Sequence, residues 1–186
     1  SAKRVDALEV PTMQYLMVDG TGEPGCDSYV KAVEALYTVS YTLKFMVKRE
    51  QELMDYGVMH LEGLWWAEDM SDFITRRKDR WLWTMMIMQP ECIDSTLYET
   101  ALERVHIKKP HISLDALRYE SFTEGLVAQT LHIGPFDEEG PTVERVHQYI
   151  EESGHALSGK HHEIYLTDIR RADPKNWKTI IRQAMA

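Results

Sequence analysis

The stretch Thr130-Leu131-His132-Ile133-Gly134-Pro135-Phe136-Asp137-Glu138-Glu139-Gly140-Pro141 runs into a helical pattern. His161-His162-Glu163-Ile164-Tyr165-Leu166-Thr167-Asp168 follows. The order reads strand, acidic turn, helix, strand. Gly134-Pro135 breaks the first strand. Asp137, Glu138 and Glu139 place negative charge near the start of the helix, where its dipole is positive, and Pro141 suits its first position. Val143, Val146 and Ile150 form one apolar stripe, and Gly154 fits a C-terminal cap. Side chains alternate along the second strand, here read as His162–Asp168. Glu163 and Tyr165 therefore share a face, with His161 and Thr167, and Ile164 and Leu166 point to the helix side. The polar face is either wetted, as on many antiparallel sheets, or the wall of a groove. A carboxylate among rings there loses hydration, so its pKa is expected to rise.

Working outward, an aromatic-rich half precedes this stretch. Met13 to Val18 suits a strand and stops at Asp19-Gly20-Thr21-Gly22-Glu23-Pro24-Gly25. That loop lacks the spacing of a phosphate-binding motif and reads as a turn. Asp27 or Ser28 can cap a first helix whose stripe is Tyr29, Val33, Leu36, Ser40, Leu43 and Val47. Tyr37 and Tyr41 lie one residue round from it. Asp55 to Ala67 reads as a strand that puts Trp65 and Trp66 on opposite faces. Glu62 shares the face of Trp66, as a surface charge or a second groove carboxylate. A short helix is predicted around Met70 to Thr75. Trp81 to Gln89 is apolar on both faces and predicts a central strand.

Asp94 to Ile107 predicts a second helix, with a capping box at Thr96-x-x-Glu99. Leu114 to Phe122 and Leu126 to Ile133 form a hairpin about Thr123-Glu124-Gly125. Lys178 to Arg182 closes the chain as a strand. Strands and helices in this mix predict an α+β domain with an antiparallel sheet. The chain divides into a lead-in (1–11), a first β-α-β-β half (12–90), a linking helix and strand (91–123) and a second β-α-β-β half (124–186). The twofold pattern lies in the elements, with no repeat in the residues.

The 186 residues supply one substantial core. A net charge of −9 argues against direct binding of nucleic acid or anionic membranes. The basic runs, Arg76-Arg77-Lys78 with Arg80 and Arg170-Arg171, read as loop or strand-end charges. Two cysteines, Cys26 and Cys92, make no disulfide framework and suit a reducing cytoplasm. No apolar run reaches membrane-spanning length. No signal-peptide pattern opens the chain, and Ser1 as first residue is compatible with a native start further upstream. A metal site at His161, His162 and Glu163 is disfavoured, because neighbouring strand residues face opposite ways and HExxH is absent. His132 reads as a core or hydrogen-bonded histidine. No nucleophile-elbow motif is present. The sequence assigns no oligomeric state.

Three motifs carry a resemblance: Leu131-His132-Ile133-Gly134-Pro135-Phe136-Asp137-Glu138-Glu139, His162-Glu163-Ile164-Tyr165-Leu166-Thr167-Asp168 with Arg170-Arg171, and Leu61-Glu62-Gly63-Leu64-Trp65-Trp66. Together with Lys178 to Gln183 they resemble the GyrI-like small-molecule-binding family, in its stand-alone bacterial branch. The departures are Ile169, where proline is expected, and Phe136, where tyrosine is common. The resemblance implies duplicated β-α-β-β modules in one antiparallel sheet, helices on one face and a ligand cleft on the other. It implies a cytoplasmic protein whose partner is a planar hydrophobic or cationic small molecule, with no cofactor and no metal. Some members of the branch are hydrolases that open the ring of cyclopropanoid electrophiles. On that reading Glu163 and Tyr165 are the catalytic candidates. Trp65, Trp66, Trp81, Trp83 and Tyr119 are the candidates for ligand-binding walls. The alternatives are a non-catalytic drug binder or sensor, and a gyrase-inhibitor-like interaction module. The resemblance spans nearly the whole chain and leaves no room for a DNA-reading helical domain.

Overall fold

The computed structural model describes residues 1–69 and 77–186. Within them lie eight strands and three α-helices, so the class is α+β and the strand pairings are antiparallel. The helix predicted around Met70 to Thr75 falls outside the described residues, as does Arg76. The chain forms two compact units, one of residues 1–12, 60–65 and 123–186, the other of residues 13–59 and 66–122.

In the first unit the strand order is β1 (Asp6–Val10), β6 (Gly125–Ile133), β8 (Lys178–Met185), β7 (Leu157–Tyr165) and β3 (Leu61–Trp66). The lead-in thus contains a strand. Asp6–Val10 is too short to announce itself by period, and its backbone is satisfied by β6. The strand expected from Asp55 is confined to Leu61–Trp66 and pairs with β7 across Gly63↔Glu163 and Trp65↔His161. Strand β7 begins at Leu157 and ends at Tyr165, so Thr167 lies beyond it. Helix α3 (Gly140–Glu152) lays Val146 and Ile150 on Ala128, Ile181 and Met185. Each fully buried aliphatic side chain of this kind contributes roughly 1.5–3 kcal/mol.

That packing corrects the assignment of faces. Glu163 lies directly across from Ile181, and directly opposed residues point to the same side of a sheet. Ile181 touches α3. Glu163, with His161 and Tyr165, therefore faces the helix-bearing side, and Ile164 faces the other. Alternation groups the side chains correctly, but only the helix contact says which group is under it.

The second unit pairs β4 (Leu82–Gln89) with β2 (Met13–Thr21), and β2 with β5 (Leu117–Phe122). Helix α1 (Asp27–Arg49) packs on β2 and β4 and against α2 (Ser95–Lys108). Leu36, Ser40, Leu43 and Val47 of its predicted stripe are buried. Its N-terminus begins after Cys26, which makes no side-chain cap. Asp94, not Thr96, caps α2, accepting from the Leu97 amide at 2.8 Å. Gly20 lies under Trp83, where a Cβ would sit 2.1 Å from the indole.

Candidate functional site

The turn between β6 and α3 is built to bring a carboxyl back to the sheet. Gly134 adopts φ +139°, a region open to glycine, and its amide bonds the Trp177 carbonyl at 2.9 Å. His132 Nε2 donates to the Pro135 carbonyl at 3.2 Å, so Nδ1 accepts from the Thr142 hydroxyl at 2.9 Å. One buried imidazole thus ties the end of β6 to the first turn of α3. A short 3-10 turn, Phe136–Glu138, follows, and Glu139 precedes α3.

Strand β7 supplies the counterpart. Glu163 Oε1 accepts from His161 Nε2 at 2.8 Å, and Oε2 accepts from the Tyr165 hydroxyl at 2.7 Å. Tyr165 in turn accepts from the Trp65 indole N–H at 3.0 Å. An indole can only donate, so the phenol oxygen accepts there and its proton is directed at Glu163. The carboxyl of Glu139 lies close enough to that of Glu163 for the two to influence each other's ionisation. Phe136 packs edge-on to Tyr165 at 5.8 Å and lies 5.0 Å from Trp177, measured between ring centroids.

Two carboxyl groups in contact cannot both ionise cheaply. Burial, reinforced by the charge of Glu163, pushes the Glu139 carboxyl up to about 10. Glu139 is 8% exposed and its Oε1 is buried and accepts no hydrogen bond, so a carboxylate there would go uncompensated. Glu163 moves the opposite way from the sequence expectation. Burial alone would raise it, but the donors on His161, Tyr165 and Glu139 outweigh burial and hold it below the usual carboxylate value. At neutral pH these neighbouring carboxyls are one acid and one base. Such a pair can deprotonate one atom and protonate another in one event.

The remaining predicted residues distribute differently. Trp65 is buried and acts through its N–H on Tyr165. Trp66 is half-buried. Trp81 is half-buried with the Lys78 ammonium 5.7 Å from its ring centroid. Trp83 is 1% exposed and packs edge-on to Tyr29 of α1; it is a core ring of the second unit, with no open face for a wall. The Tyr119 hydroxyl donates to the Ile93 carbonyl at 2.7 Å, and its ring lies 5.4 Å from that of Tyr98. Sequence reasoning missed Glu139, read as a helix-start charge, and Trp177. The signal for Glu139 was local: of three successive acids, it alone sits where the chain turns into the helix.

Glu62 is not a surface charge. On the opposite face of β7, His162 donates from Nε2 to Glu62 at 2.9 Å and from Nδ1 to Glu124 at 2.8 Å. Arg182 reaches Glu124 at 3.1 Å and Gln129 at 2.8 Å. Both ring nitrogens need protons to make these bonds, and the two carboxylates raise His162 against the lowering effect of its burial. Glu124 is held low by His162 and Arg182 against the raising effect of its own burial. In the second unit, an open depression of about 660 Å³ lies at the glycine-rich turn, lined by Thr21, Gly22, Cys26, Ser28 and Lys78 among others. The acid pair does not line it. Among the described residues no helix is long and apolar enough to cross a membrane.

Comparison with known proteins agrees with the motifs. A family model described as the GyrI-like small molecule binding domain matches residues 3–182. Among solved structures, an uncharacterized conserved protein from Listeria innocua is 38% identical with a TM-score of 0.90, the match covering 98% of this chain and 92% of that one. Two crystal structures of hydrolases from Listeria innocua are 36% and 37% identical, with TM-scores of 0.87 and 0.88 and the same coverage. No curated protein matches. The chain therefore belongs to the family of GyrI-like small-molecule-binding domains.

Proposed function

We propose that this GyrI-like domain is a hydrolase that opens the ring of planar cyclopropanoid electrophiles with water and so detoxifies them in the bacterial cytoplasm. The observation that carries the reading is Glu163, a largely buried carboxyl held by His161 at 2.8 Å and the Tyr165 hydroxyl at 2.7 Å, with the exposed ring of Phe136 on Tyr165. The hydrolases from Listeria innocua at 36% and 37% identity support the reaction class. Glu163 accepts the proton of the attacking water. In the conjugated cyclopropane the bond to the attacked carbon breaks, and its electrons delocalise to the distant carbonyl oxygen. Tyr165, whose hydroxyl proton is directed at Glu163, holds that carboxylate in position for the water. The rings of Phe136 and Trp177 beside Tyr165 offer a flat apolar surface for orienting the scaffold.

Incubation with a cyclopropanoid compound, followed by mass, tests the proposal. Repeated conversion to a product heavier by one water is expected. A compound recovered intact while tryptophan fluorescence is quenched would mean binding without turnover. That second reading, a non-catalytic binder of planar apolar or cationic compounds, draws on family membership.

A further inference from the structure

We infer that the outward face of α1 is where two copies of this chain pair, helix against helix and antiparallel. The inference stands apart from the hydrolase reading and survives its failure.

Helix α1 buries Leu36, Val39, Leu43 and Val47 in its own unit. The opposite face of such a helix is expected to be polar. On α1 it carries an apolar row instead. Val30, Tyr37, Tyr41 and Phe45 recur at helical spacing and line up along one side. Val30 is 55% exposed, Tyr41 49% and Phe45 41%. Tyr37 and Tyr41 stack, with ring centroids 6.4 Å apart and planes inclined by 27°. The Arg49 guanidinium lies over the Phe45 ring, 4.8 Å from its centroid. Leu53 and Met54, just beyond the helix, are exposed as well. Single exposed apolar residues are ordinary, but a row of them marks an interaction surface.

The charges along the row select a second copy as the occupant. In the C-terminal half Lys44 and Lys48 share one carboxylate, Asp55, at 3.5 and 2.6 Å. Arg49 adds a further cation, and Glu50 is answered by Arg104, so that end is positive. In the N-terminal half stand Asp27 and Glu34, with Lys31 to one side; Glu34 lies 3.8 Å from the His111 imidazole. A second copy laid antiparallel brings each acidic end to the other's basic end, whereas a parallel one sets like against like. A twofold contact is self-complementary, so each pairing occurs twice. An axis level with Val39 sets Tyr37 against Tyr41 of the second copy and Glu34 against its Lys44. Four tyrosine rings then meet at the centre, with an ion pair on either side. The helix has 23 residues, roughly 34 Å. A strip of that length and about 10 Å wide falls short of the roughly 800 Å² per partner of a standard complex, so a dissociation constant in the micromolar range is expected.

Sedimentation equilibrium of the full chain between about 1 and 100 µM tests the pairing. The mass is expected to rise from one copy to two across that range. A single copy throughout overturns the inference and leaves the face to a different partner. Tyr41→Glu should weaken pairing at least about 30-fold and leave the melting temperature of the dilute protein unchanged. A dimer that survives this change overturns α1 as the contact, and Phe45→Glu makes the same test should the first variant fail to fold. Glu34→Lys and Lys44→Glu should each weaken pairing roughly 10-fold, and the two together should restore it to within about 3-fold of the parent. Losses that add instead of cancelling overturn the antiparallel arrangement.

Discussion

Each face of β7 sets a histidine, His161 on one and His162 on the other, beside glutamates, and the two faces use them in opposite ways. On one face His162 lies between Glu62 and Glu124, with Arg182 on Glu124. Two carboxylates meet an imidazolium and a guanidinium, and each charge has a partner. On the other face His161 and Tyr165 serve Glu163, but a second carboxyl, Glu139, arrives without a cation of its own. It resolves the conflict by keeping a proton. The matched face is a joint between strands. The mismatched face holds a protonated carboxyl near a base, which is what acid–base chemistry needs. Counting charges against partners separates the two where residue identity does not.

The largest expected effect tests the joint. His162→Leu leaves Glu62 buried without its partner and Glu124 with Arg182 alone, and should cost about 3–5 kcal/mol in urea unfolding. Loss of less than about 1 kcal/mol would erase the distinction between the faces. The pH dependence has a definite sign. His162 is raised in the folded state, so its stabilisation is complete below its unfolded value, near 6.5, and is lost as pH rises through the folded value. Glu124 is lowered, so its share is present above its unfolded value, near 4.5, and is lost as pH falls through the folded one.

Next in size is the effect of Glu163→Gln on turnover of a cyclopropanoid compound. A loss on the order of 10²- to 10⁴-fold is expected, with the melting temperature within a few degrees of the parent. Full turnover in that variant would remove Glu163 from water activation.

Glu139→Gln should be a stabilising change that grows with pH. The folded value of Glu139, about 10, lies above the unfolded 4.5. Its contribution is therefore complete below about 4.5 and declines as pH rises toward 10, because the unfolded chain releases a proton that the folded chain retains. Glutamine has no such decline. The melting temperature of the variant relative to the parent should rise between pH 5 and pH 9 by several degrees. A difference that stays flat with pH would show that Glu139 is ionised.

The smallest effect belongs to Trp65→Phe, which deletes the N–H that orients Tyr165. About 1 kcal/mol of stability and a few-fold loss in turnover are expected, read by thermal melts and rates. Loss of substrate affinity at unchanged turnover would instead make Trp65 a wall of the binding site.

Much of this was legible before any coordinates. The period of two along His161 to Tyr165 groups the residues that now surround one carboxylate. The stripe Val143, Val146 and Ile150 marks α3, and Gly134-Pro135 marks the break that aims the acidic turn. These features follow from backbone geometry over a few neighbouring residues, so a single sequence carries them. The tertiary structure decided three things. The register of β7 on β8, with the seat of α3 on Ile181, put Glu163 on the helix-bearing side. The pairing of β3 with β7 brought Trp65 to Tyr165 and Glu62 to His162. The return of the β6–α3 turn placed Glu139 against Glu163 and reversed the protonation expected of each. A pKa is set by burial and by charges near in space, and two carboxyls distant in the chain give no sign in sequence that they will meet.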